Sequence, residues 1–169
     1  MYPYQDSSRP IEERVDDLLS RMTLEEKAAQ TDQYFSGDFT TLDENGRVTH
    51  IDFDRFVQLL GKTSIGGVQL RGMTAAQANA IQRIAVEQTR LGIPFVFSEE
   101  ALHGLFTGLA TSYPQQIGLA ASFDPELGRK MGHAIAEEVR ASGIHETYAP
   151  VMDLIRDPRY GRGEESYGE

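Results

Sequence analysis

The chain has 169 residues, 40% hydrophobic and 25% charged, and its 26 acidic against 16 basic side chains give a formal charge of −10. That length suffices for one domain with a sizeable core, while the acidic surface repels phosphate backbones and anionic lipid and so argues against nucleic-acid and membrane partners. With no cysteine, disulfides, thiolate nucleophiles and thiolate-held metals are excluded.

No apolar run approaches the ~18 residues of a membrane span. The first twenty residues carry no apolar signal core, and the Met1 start tilts the expected localisation slightly toward the cytoplasm. Ser8–Arg9–Pro10 opens the first helical signal. Ile11, Val15, Leu18, Leu19 and Met22 follow at steps of three and four, on one face. Thr23 with Glu26 forms a capping box, which starts a second helix running to about Gln33. The polar stretch from Gly37 to Asp54 reads as a long surface loop with one short strand at Val48–Ile51.

A regular alternation begins at Ser64–Leu70, a short apolar run read as a buried strand. Thr74 and Gln77 cap a helix carrying Ala78, Ile81, Ile84, Ala85, Gln88 and Leu91, and Gly92 stops it before the apolar run Ile93–Phe97. Ser112–Ser122 holds a further hydrophobic segment, QIGLAAS. Asp124–Pro125 then starts a helix that Gly143 ends, and Ile144–Val151 is the last strand candidate. Strand, helix, glycine, strand is the order of βαβ units, so the fold class is α/β with parallel strands. A doubly wound sheet should show a Gly-rich phosphate loop, and neither common form occurs here. A (β/α)₈ TIM-type barrel needs about 250 residues, so this chain would supply only the N-terminal part of one.

Polar residues collect just after the predicted strands, where such folds build their sites. The first cluster is Ser98–Glu99–Glu100–Ala101–Leu102–His103–Gly104. Its carboxylates and imidazole suit acid–base work or the binding of sugar hydroxyls. Glu100 and His103 have the E-x-x-H spacing of carboxylate-bridged metal sites, but only His133/Glu137 comes near a second copy, so no metal and no cofactor is assigned. The bland alternative is a solvated glutamate beside a histidine bonded to backbone. The second cluster runs from Asp153 to Arg162. Arg156, Arg159 and Arg162 recur at steps of three, but Pro158 rules out a helix face. Two of the three are expected to brace Asp153, Asp157, Glu164 or Glu165, leaving one for a cleft; the alternative puts all three in surface pairs. His50, His133 and His145 read as structural or solvated. Ser112 and Ser122 lack the setting of a hydrolase elbow, and Gly66–Gly67 suggests close backbone approach.

Taken together, IEERVDDLLSRMTLEEKAAQ, IGGVQL, TRLGIPFVFSEEALHG, TSYPQQIGLAASFDPEL, IAEEVRASGI and YAPVMDLIRDPRYGRGEESYGE resemble, in order and spacing, the N-terminal barrel of glycoside hydrolase family 3, the β-glucosidase and β-xylosidase family. The resemblance covers nearly the whole chain outside Gly37–Asp54. It implies an exo-acting β-glycosidase that releases the terminal non-reducing sugar with retention, through one attacking carboxylate and one protonating carboxyl. The partner it implies is a small oligosaccharide or other β-glycoside. It places Glu100 of E-A-L-H-G and Arg162 of R-D-P-R-Y-G-R on sugar hydroxyls, gives Arg156, Asp157 and Arg159 a bracing role, and makes His103 a support of the Glu100 loop. No catalytic residue of the family falls in the chain. There is no tryptophan and no S-D-W-like nucleophile motif, and Lys27, Lys62 and Lys130 precede Ala28, Thr63 and Met131 where the family has a Lys–His pair. Residues 1–169 are therefore expected to be the barrel's N-terminal portion, cut before the nucleophile-bearing strand, inactive alone and lacking a C-terminal remainder. Glu100 stands where many β-glucosidases of the family carry Asp, which implies a pentose-favouring pocket. Against this stand a complete non-catalytic half barrel that binds sugar or oligomerises, and a different α/β hydrolytic or metal enzyme.

Overall fold

The computed structural model describes residues 2–61, 63–107 and 110–168. Two helices lead. Helix α1 (Ile11–Arg21) has Pro10 at its N-cap, Glu12 and Glu13 in the first turn and Arg21 in the last, each charge suited to the helix dipole. Its stripe of Ile11, Val15 and Leu19 lies on the surface, not in the core. Helix α2 (Leu24–Ala29) starts at the expected capping box, with Thr23 accepting from Glu26 N and Glu26 accepting from Thr23 N. Arg90 holds both helices down: its Nε reaches Glu26 Oε1 at 2.8 Å and its Nη2 the Arg21 carbonyl at 2.9 Å.

Four parallel strands form one sheet in the order β1 (Gln33–Phe35), β4 (Gly67–Gln69), β5 (Val96–Glu99), β6 (Glu146–Thr147). Sheet neighbours follow chain order, as in a barrel laid out strand by strand, so the fold is α/β with a partial (β/α)₈ architecture. Between β1 and β4 come the hairpin β2 (Thr40–Leu42) and β3 (Val48–Ile51) and the helix α3 (Phe53–Leu60). Helix α4 (Ala75–Gln88) joins β4 to β5; α5 (Gln116–Ala120) and α6 (Pro125–Ala141) lie between β5 and β6. Thr74 and Asp124 cap α4 and α6 with side-chain hydrogen bonds, as their sequences predict.

Two expectations need correction. The second helix stops at Ala29, not near Gln33, because Gly66 N donates to the carbonyls of Ala29 and Asp32 and Gln33 turns to pair with Gly67. A Cβ at Gly66 would stand 2.0 Å from the Gln30 carbonyl oxygen, so this close approach requires glycine. The segment 37–54 is no surface loop: Phe39, Val48 and Ile51 are buried with Phe56 of α3. The hydrophobic segment QIGLAAS, to which the sequence reading gave no element, supplies α5 (Gln116–Ala120).

Alternation along the strands gives the sheet two unlike faces. Tyr34, Val68 and Phe97 share one row and pack into the core with Ile81, Ile84 and Ala85 of α4 and with Phe56. Gln33, Gly67 and Val96 share a row on the other side, the barrel's interior face, where Val96 is half-exposed. Tyr148 Oη donates to Gln33 Oε1 (2.6 Å) and approaches Ser98 Oγ (3.1 Å), and Gln33 Nε2 also donates to Ser98, tying first and last strands across this face. Among the described residues no helix is long and apolar enough to cross a membrane.

Candidate functional site

The carboxyl ends of the strands open onto a cleft of about 960 Å³. Phe35 from the end of β1, Gln69 and Arg71 from β4, the 100–107 loop after β5, and Arg162 and Glu165 from beyond β6 line it. This is where strand twist leaves room for a ligand in barrels and open sheets.

Glu100 is held by its backbone. Its N–H donates to Glu99 Oε1 (2.8 Å) and its carbonyl accepts from Phe106 N (2.8 Å). Its carboxylate accepts no hydrogen bond from the described residues. Glu99 is fully buried, and its Oε1 also takes the Gln69 amide at 3.3 Å while Oε2 has no partner. Burial pushes the Glu99 carboxyl above the usual carboxylate range. His103 Nδ1 lies 3.0 Å from the Tyr113 carbonyl, whose own N–H donates to the His103 carbonyl at 2.7 Å. A carbonyl can only accept, so Nδ1 carries the proton. This clamp and Gly104, at φ +120 with the Thr111 carbonyl 2.1 Å from where a Cβ would be, fix the loop behind Glu100.

The arginines divide differently from the sequence expectation. Arg162 lines the cleft and is also paired, through Nε to Glu165 Oε1 (2.8 Å) and Nη2 to Oε2 (2.7 Å), which raises its pKa. Arg159 forms a fork with Asp157, whose carboxylate also accepts Arg159 N, and this pair stands outside the cleft lining. Arg156 is exposed, outside the lining and without an ion pair among the described residues. Two of the three arginines are thus braced, but the unpaired one is not the one facing the cleft. The structure brings Glu100, His103 and Arg162 to one wall and leaves Arg156, Asp157 and Arg159 aside.

Sequence reasoning passed over Arg71. Its guanidinium carbon sits 4.7 Å from the Phe106 ring centroid and 5.7 Å from that of Phe35. The signal was present: a charged residue directly after the apolar run IGGVQL, the same rule that picked out the cluster around Glu100. A carboxylate and two guanidinium groups on one cleft suit a ligand rich in hydroxyls, since each offers paired acceptors or donors. Among the described residues no three His, Asp or Glu side chains are grouped to hold a metal ion.

Residues 23–169 match the family model described as Glycosyl hydrolase family 3 N terminal domain. The periplasmic β-glucosidase/β-xylosidase of Dickeya chrysanthemi is 37% identical over 99% of this chain and 27% of its own length. A β-glucosidase structure from Erythrobacter marinus matches with a TM-score of 0.79 at 33% identity, covering 98% of this chain and 22% of that one. The β-glucosidase of Listeria innocua in complex with glucose matches with a TM-score of 0.72 at 36% identity, covering 94% and 21%. The chain spans less than a third of the length of each. Since the family match takes in all but the first turns of the sequence, the chain belongs to glycosyl hydrolase family 3.

Proposed function

We propose that the protein carrying this chain is a retaining, exo-acting β-glycosidase of the β-glucosidase/β-xylosidase type, and that residues 1–169 are the N-terminal portion of its catalytic barrel, ahead of the nucleophile-bearing strand. The observation that carries this reading is the Glu100 carboxylate, anchored through its backbone at a strand end and free to accept hydroxyl protons in the cleft. Glu100 and Arg162 hold the terminal sugar, and the Glu165 pairing keeps the Arg162 fork in one orientation. His103 supports the Glu100 loop; the Asp157–Arg159 fork braces the loop beyond β6, and Arg156, unpaired among the described residues, is left out of that role. The two reacting carboxyl groups come from chain outside these residues, so the chain alone turns nothing over. The small oligosaccharides or β-glycosides of this reading need no cofactor, and neither nucleic acid nor membrane is a partner. A longer Glu in place of Asp fills the space of a hexose CH₂OH and favours pentosides.

The test is hydrolysis of aryl β-xylosides and β-glucosides by the product of the complete reading frame. Cleavage with retained anomeric configuration is expected, and Glu100→Ala should lower kcat/KM about 100-fold, as loss of two charge-assisted hydrogen bonds does. Glu100→Asp should shift preference toward glucosides. A complete protein that cleaves neither substrate overturns the reading. The open edges of β1 and β6 favour a second one, a non-catalytic half barrel that assembles through them. A discrete oligomer of the 169-residue chain in sedimentation, together with an inactive complete protein, would select it.

A further inference from the structure

The two arginines lining the cleft are neutralised unequally. Arg162 gives Nε and Nη2 to one carboxylate. Arg71 has no carboxylate at ion-pairing distance among the described residues and rests on the faces of Phe35 and Phe106. Both rings are themselves exposed, 37% and 51%, so the stack stands in the cleft and not in the core. Ring faces fix a guanidinium without occupying its edge N–H donors, which leaves the planar fork available. The buried Glu99 carboxyl, whose pKa burial raises, lies behind Arg71 without forming an ion pair with it. Sheet order sets Glu100, after β5, between Arg71, after β4, and the Arg162 loop beyond β6. A sugar gripped by Glu100 and Arg162 therefore has beside it a cation that is held on ring faces and makes no ion pair among the described residues, in a chain whose net charge is −10.

We propose that Arg71 is a further substrate-binding residue that takes a carboxylate, so that the site accepts acidic β-glycosides bearing a uronic or aldonic acid. This rests on the glycosidase reading above and adds a substrate class to it. The test is calorimetric binding to the product of the complete reading frame, with cellobionate against cellobiose and glucuronate against glucose, in the wild type, Arg71→Gln and Arg71→Lys. The acid-to-neutral affinity ratio should fall about tenfold in Arg71→Gln, the size of one hydrogen bond to a charged group. It should fall less in Arg71→Lys, which keeps the charge and loses the fork, and should shrink as salt is raised. A fall confined to the cellobionate pair assigns the acid to the leaving-group sugar; one confined to the glucuronate pair assigns it to the terminal sugar. Equal ratios in wild type and Arg71→Gln overturn the proposal, as does binding of the neutral sugars alone. Binding does not depend on turnover, so a protein that binds acids through Arg71 but hydrolyses nothing overturns only the glycosidase reading. If no sugar binds, both fall.

Discussion

Phe97 and Val96 are neighbours in one strand and belong to different environments. Phe97 is 3% exposed, on the helix side, stacked on His145 with ring centroids 5.5 Å apart, while Val96 is 46% exposed on the barrel side. The contrast extends across the sheet: Tyr34, Val68 and Phe97 meet three helices' worth of apolar side chains, whereas Gln33 and Tyr148 bond one another and Val96 faces solvent. The helix-side layer holds the buried apolar core and carries the stability. The barrel side keeps its polar atoms paired but its apolar area uncovered, and the cleft at its rim carries the chemistry.

Two substitutions in that one strand sharpen or break the contrast most. Phe97→Ala should cost about 3–5 kcal/mol through the cavity it leaves, whereas Val96→Ala in the 169-residue chain should stay within about 1 kcal/mol. Urea unfolding measures both, and equal costs would mean the two faces are not distinct. In the complete protein the cost of Val96→Ala should grow, because the barrel interior is then covered.

The next effect lies where α2 meets the turn after α4. Glu26 accepts the Thr23 N–H and pairs with Arg90, and Glu26→Ala should cost about 1–2 kcal/mol, the loss of a cap and a charged hydrogen bond. The Arg90 guanidinium holds the Glu26 pKa below its ordinary value of 4.5. A folded-state pKa below the unfolded one stabilises fully above 4.5, and the contribution disappears as pH falls through the folded value. Melting temperature against pH should therefore drop less steeply on the acid side in Glu26→Gln than in the wild type. Parallel curves would remove the pair from the stability of this layer. The smallest effect is expected on the barrel side. Tyr148→Phe loses the contacts to Gln33 and Ser98 and should cost about 0.5–1 kcal/mol, read as a small shift in thermal midpoint.

What the sequence disclosed follows the range of the interactions involved. Helix starts at Thr23, Thr74 and Asp124 were legible because a cap is written within four residues. The end of α2 was not, because Gly66, far along the chain, takes the Ala29 and Asp32 carbonyls. The burial of Phe39, Val48 and Ile51 likewise depends on Phe56, and the polar residues around them hid it. At the site, the clusters 98–104 and 153–162 stood out by composition and position after strands, while the choice of Glu100 and Arg162 within them came from the family resemblance. The Arg71 stack joins three segments from the ends of β1 and β4 and the loop after β5, which no local pattern encodes.

The bond between Tyr148 and Gln33 spans 115 residues, and that sets an order of events during synthesis. Each strand of the sheet pairs with the one made just before it, so β1, β4 and β5 can assemble as the ribosome extends the chain at roughly 5–20 residues per second. Closing the long loop costs little more than closing a short one, since the entropy grows only with the logarithm of its length. It cannot close, however, until β6 has emerged. On the nascent chain, this bond between the first strand and the residue that follows the last marks the moment when all four are in register.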